Sequence, residues 1–157
     1  MTYNLDKQLI IQTTSLPAAQ SVSTSYLEVT GSKAQIKLKN TATNWLYKFS
    51  FYTFSTDSAA LFIHARVESS NDNFSSDIQT IAGAQVNLSG DTQDLEDKYY
   101  QSHTLMFILP SLDREYLRLA VRSYSTSTEC NLHRSTQFDG GTSENVCYNP
   151  SLMILEL

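Results

Sequence analysis

Three histidines, two cysteines and two acidic loops are the residues of this chain best equipped for chemistry. His64, His103 and His133 lie far apart in sequence, and no GxSxG elbow, HExxH helix or phosphate-binding GxxxxGK[ST] loop accompanies them. Serine and aspartate are so frequent that a Ser/His/Asp trio can be drawn from almost any fold, and such a trio is defined by geometry. No catalytic role is assigned, and the expectation is a protein that is not an enzyme. Cys130 and Cys147 lie in one polar stretch with 16 residues between them. A bridge between them would contribute ~3 kcal/mol through loop closure, whereas a reducing compartment leaves two free thiols. They lack the CxxC spacing of zinc sites. Asp91, Asp94, Glu96 and Asp97 form one acidic loop, and Asn71, Asp72, Asn73 and Asp77 a smaller set. Both offer the oxygens that calcium takes, yet neither matches an EF-hand, and solvated loops account for them. No metal and no cofactor is expected. Trp45 could stack a sugar, with nine Tyr in support, or plug one end of the core.

The elements that must position these residues are strands. Period-two alternation recurs along the chain and helical periodicity is nearly absent. Residues 34–39 set Ala34, Ile36 and Leu38 against Lys33, Gln35, Lys37 and Lys39. Residues 61–68 align Leu61, Ile63, Ala65 and Val67, and residues 115–123 align Leu117, Leu119 and Val121. Residues 22–29, 46–54, 85–88, 103–109 and 151–156 also read as strands, with residues 9–12 as a further candidate. Asp94–Tyr100 is the one helical turn expected. Eight or nine strands in 157 residues predict an all-β, two-sheet antiparallel sandwich of jelly-roll type over residues 21–157. The polar stretch Gln12–Gln20 predicts an N-terminal arm over residues 1–20. Residues 123–150 form the longest region without strong periodicity, either a functional loop or concealed strands.

The net charge of −5 argues against coating nucleic acid, and the arm carries a single Lys. The longest apolar run, Leu105–Leu109, is far short of the ~20 residues of a membrane helix. Residues 1–20 lack a signal-peptide pattern. The expectation is a protein made in a cytoplasm, with no membrane and no nucleic-acid partner. Within the chain, five Lys fall in residues 1–48 against only Asp6 and Glu28. Lys33, Lys37 and Lys39 are therefore candidates for docking an acidic partner, or else a solvated strand face.

Several strands are apolar on both faces, although a sandwich covers only one face of each sheet. Phe62, Met106, Ile108, Tyr52 and Phe54 fall opposite the inward sets. Either the arm and loops cover them or a neighbouring subunit does. They are the subunit-interface candidates, and closed trimeric packing suits the pattern.

Four stretches carry a resemblance: residues 44–51 (NWLYKFSF), 61–67 (LFIHARV), 116–122 (YLRLAVR) and 150–157 (PSLMILEL). As a pattern they resemble the jelly-roll decoration, or cement, proteins of tailed-phage capsids and the related trimeric heads of phage tail fibres. The resemblance implies a non-enzymatic virion protein, a homotrimer whose partner is the major capsid protein or another virion protein. A chain that opens on Met and a polar arm, with no shaft repeats, is expected to be a free-standing shell subunit. The alternatives are a receptor- or carbohydrate-binding fibre head using Trp45 and residues 123–150, and a jelly-roll enzyme.

Overall fold

The computed structural model describes residues 7–15, 19–38, 43–55, 62–87, 99–124, 130–139, 142–147 and 149–157. In chain order the strands are β1 (Leu9–Thr13), β2 (Gln20–Ser21), β3 (Leu27–Glu28), β4 (Ala34–Gln35), β5 (Trp45–Ser55), β6 (Phe62–Ser70) and β7 (Gln79–Asn87). There follow β8 (Tyr99–Leu109), β9 (Tyr116–Ser123), β10 (Cys130–Leu132), β11 (Arg134–Asp139), β12 (Thr142–Cys147) and β13 (Ser151–Glu156).

The aromatic alternation of β5 turns Trp45, Tyr47, Phe49 and Phe51 inward, each at most 3% exposed. One edge of β5 pairs with β8 over its full length. The other edge is shared, by β13 along residues 45–50 and by β10 along residues 53–55. β1 continues the sheet beyond β13, and β2 beyond β10. The second sheet runs β7–β6–β9, and β3 and β4 share the far edge of β9. All pairs are antiparallel. Counting β3 and β4 as one interrupted strand, eight principal strands remain when β2 and β10–β12 are set aside. Their orders in chain sequence are 1-8-3-6 and 2-7-4-5, the interlocked Greek keys of a jelly roll. Between the sheets, the aromatic column meets Ile63, Ala65 and Val67 of β6 and Leu117, Leu119 and Val121 of β9.

Two expectations change, and an open alternative closes. Leu9–Thr13 forms the strand that residues 9–12 offered, the outer one of the first sheet with Ile10 packed against the core, and so does not belong to an arm. Tyr99 and Tyr100 open β8 instead of closing a helical turn; residues 94–98 lie outside the described residues. Residues 123–150 do conceal strands, β10 and the hairpin β11–β12.

The interruption between β3 and β4 leaves Leu119 of β9, paired with Val67 of β6 on its other edge, without a ladder partner on this one, and Ser32 takes its place. The Ser32 hydroxyl donates to the Leu119 carbonyl at 3.1 Å and accepts from the Leu119 amide at 3.0 Å. The Ser32 carbonyl accepts the Tyr47 hydroxyl at 2.6 Å, so the same residue also ties in the first sheet. Burial of this phenol raises its pKa far above the usual tyrosine value. The turn needs Gly31, whose φ is +82°; a Cβ there would meet Thr14 Oγ1 at 2.8 Å. Ser32→Ala strands the buried Leu119 amide, and we expect a loss of about 1–3 kcal/mol in urea unfolding. An unchanged unfolding midpoint would show that the hydroxyl is dispensable.

Candidate functional site

Successive residues of a strand point to opposite faces, so the column that fills the core fixes what stands outside. The β1–β13–β5–β8 registers align two rows across the outer face of the first sheet. One row is Leu9, Leu155, Leu46 and Ile108; the next is Ile11, Met153, Lys48 and Met106. Leu9, Ile11, Met106 and Ile108 are 56%, 68%, 64% and 71% exposed. Seven of the eight side chains are apolar, with Lys48 the one charge among them. A third row, Thr13, Ser151, Ser50 and Thr104, is polar and closes the patch; the Ser50 and Thr104 hydroxyls lie 2.9 Å apart. A dimple of about 110 Å³ lies at this border, lined by Ile11, Lys48, Ser50, Ser151 and Met153. Four strands spaced ~4.8 Å and two rows ~7 Å apart give a patch of a few hundred Å².

Of the interface candidates, Met106 and Ile108 therefore stand together on this patch. Phe62 lies on β6 in the other sheet, and Tyr52 lies further along β5; both are partly buried. Phe54 is 2% exposed, so the chain itself already covers it and it is not available to a partner. Sequence reading missed Leu9, Ile11 and Met153. The signal was present in Leu9-Ile10-Ile11, a run too apolar for one-faced burial, but the polar residues after it argued for an arm. Trp45 is 3% exposed and belongs to the core, not to a stacking platform.

Lys33 and Lys37 are exposed beside β4, and Lys39 lies outside the described residues. The backbone of Lys37 is held by Gln8, whose side chain accepts from its amide at 2.8 Å and donates to its carbonyl at 2.6 Å. The start of β1 is thus tied to the segment after β4, which brings Lys37 to the margin of the first sheet. Of the two alternatives for the cysteines, the bridge is not made: Cys130 is a free buried thiol whose pKa burial pushes up to about 12. A thiol so reluctant to ionise is a poor nucleophile. Cys147 pairs through its backbone with Arg134, and its side chain lies outside the described residues.

The histidines do not converge. His64 stands on the outer face of the second sheet. His103 and His133 flank Phe51 at ring-centroid distances of 5.3 and 6.4 Å. His103 Nε2 and Thr53 Oγ1 are 2.7 Å apart, and no carboxylate among the described residues orients that pair. In the smaller acidic loop, Asp72 accepts from the hydroxyls of Ser70 and Ser76 and from the amides of Ser75, Ser76 and Asp77. Those bonds hold its pKa well below the usual carboxylate value. Asp77 pairs with Arg114. These oxygens shape a turn with positive φ at Asn73 and Phe74, which leaves them spent as calcium ligands. Asp91–Asp97 lies outside the described residues.

His133 is fully buried at φ +64°, with no partner on either ring nitrogen among the described residues. Burial lowers its pKa to about 4 and also lowers that of His103. The unfolded chain takes these protons near pH 6.5. Stability is therefore complete above that pH and falls as the pH drops toward 4, by up to ~1.4 kcal/mol per unit for His133, with His103 adding a decline in the same direction. His133→Asn tolerates the left-handed backbone and does not titrate. We expect it to flatten the decline of the urea midpoint between pH 6.5 and 4.5; equal slopes would refute this account.

No protein-family model and no curated protein matches the chain, so its geometry carries the functional argument alone.

Proposed function

We propose that this protein is a non-enzymatic structural subunit of a virion, a capsid decoration protein that packs as a homotrimer and staples a preformed shell. The observation that carries this reading is the pair of in-register apolar rows outside the first sheet. Fully burying such a side chain gains about 1.5–3 kcal/mol, and a patch of this kind on a β-sandwich suits subunit contact. Its few hundred Å² are about half of what one partner gives to an interface of standard size, ~800 Å². The patch is then the apolar centre of a wider contact.

Lys48 favours a ring over a two-fold dimer. Face-to-face pairing about a two-fold axis would bring two Lys48 ammoniums into one small patch, and no carboxylate stands among the described residues of these rows. A heterologous contact sets the patch against a different surface of the next copy. The chain is acidic overall, at −5, so carboxylates are available there to meet Lys48. Heterologous contacts that close give rings, and three copies is the ring we propose. Lys33 and Lys37, outside the patch, remain free to meet an acidic capsid surface. Binding only the assembled lattice raises the work needed to open it by mass action.

Native mass spectrometry and light scattering test the reading. The wild type is expected at three times 17.7 kDa. Ile11→Asp and Met106→Asp, both at exposed positions, are expected to keep the wild-type circular dichroism spectrum and to weaken the trimer at least ~100-fold, since each buries a carboxylate. A wild-type monomer at tens of micromolar, or a trimer indifferent to both substitutions, overturns it.

A further inference from the structure

The outer face of the second sheet carries a groove of about 390 Å³. Gly83 of β7 lies at its floor, and Tyr26, His64, Arg66, Thr80 and Gln85 wall it. In the ladder Arg66 is opposite Gly83 and His64 is opposite Gln85. Glycine gives the groove its depth: a Cβ built at Gly83 would meet only the Ala65 carbonyl oxygen, at 3.6 Å. A glycine inside a strand commonly marks the close approach of a ligand or another backbone.

The charges beside the groove do not balance. Glu68, 1% exposed, accepts from Arg66 Nε at 2.6 Å and Arg118 Nε at 2.7 Å. Arg118 also reaches Glu28 at 3.3 Å. Arg122 is left over. It sits opposite His64 on β9, with its guanidinium 5.0 Å from the centre of the Tyr26 ring, which Arg66 also covers at 3.7 Å. Arg122 has no carboxylate partner among the described residues, and its Nε is buried without an acceptor. Among the described residues, three guanidiniums against two carboxylates leave Arg122 uncompensated in a partly desolvated place, where an arriving anion is worth most. Beside His64, outside the groove's lining, Tyr124 is 78% exposed, with its ring centroid 6.5 Å from that of His64.

We propose that this groove binds a sugar bearing a carboxylate. Arg122 takes the carboxylate, for which its planar fork is suited. Thr80, Gln85 and His64 meet hydroxyl groups, and the exposed Tyr124 ring offers an apolar face to the pyranose C–H edge. An acidic peptide side chain would use Arg122 but leave the hydroxyl-matching groups and the open ring idle. The inference is independent of trimer formation, because the groove and the apolar rows lie on the outer faces of opposite sheets.

Titration of ¹⁵N-labelled protein with galacturonic acid, galactose and acetate tests it, followed at the Gly83 and Gln85 amides and the Arg122 Nε–H. We expect saturable shifts with galacturonate at a dissociation constant on the order of 1 mM, a monosaccharide's range for a shallow site. Galactose at the same concentration should give none, and Arg122→Gln should weaken binding at least tenfold. His64→Ala, at a partly buried surface position, provides a second variant with the same expected direction. Absence of saturation with galacturonate, equal binding of galactose, full reproduction of the shifts by acetate, or indifference to both substitutions overturns the proposal.

Discussion

The aromatic column of β5 is the contact on which the rest of the molecule depends. Trp45, Tyr47, Phe49 and Phe51 fill the space between the sheets, with the Phe49 and Phe51 rings stacked at 5.7 Å. Truncating one buried aromatic typically costs about 3–5 kcal/mol, a large share of the 5–15 kcal/mol that holds a domain folded. The same strand pairs with β8, β13 and β10, so the column also sets the parity of the whole first sheet. Once these four rings point inward, Leu46 and Lys48 must point outward. Their register partners Leu155, Met153, Ile108 and Met106 follow. The exposed rows are a geometric consequence of the core.

Much of this was legible in the sequence because period two survives wherever a strand is long. The inward sets of β6 and β9 stand where the alternation places them, and five consecutive apolar residues, Leu105–Leu109, could only mean a strand greasy on both sides. What was not legible has local causes. β2, β3 and β4 are two residues long, too short to show a period. The ladder slips between Val67 and Glu68, so Glu68, Ser69 and Ser70 are all buried where alternation predicts exposure of every second one. Phe54 has the parity of an outward residue, yet β10 pairs alongside it and the chain covers it. The groove was invisible because Tyr26, Gly83 and Arg122 come from three separate segments and no spacing links them.

The outer faces of the two sheets are built on opposite principles. The second sheet finishes its own surface: Arg66, Glu68, Arg118 and Glu28 pair with one another, and Arg118 lies 4.1 Å over the Phe74 ring. Such a face gains little from a protein partner, since covering it would desolvate ion pairs already made. The first sheet leaves its surface unfinished. Among the described residues its apolar rows have no cover, and its border strand β8 runs for eleven residues with only β5 beside it in the ladder. A long apolar edge next to an apolar face is a hazard in a lone molecule. Lys48 and the hydroxyl row from Thr13 to Thr104 limit how far that hazard extends, by confining the uncovered area to two rows. This asymmetry underlies both proposals: association is proposed for the face whose apolar rows lack cover, and small-ligand recognition for the face where Arg122 has no carboxylate partner among the described residues.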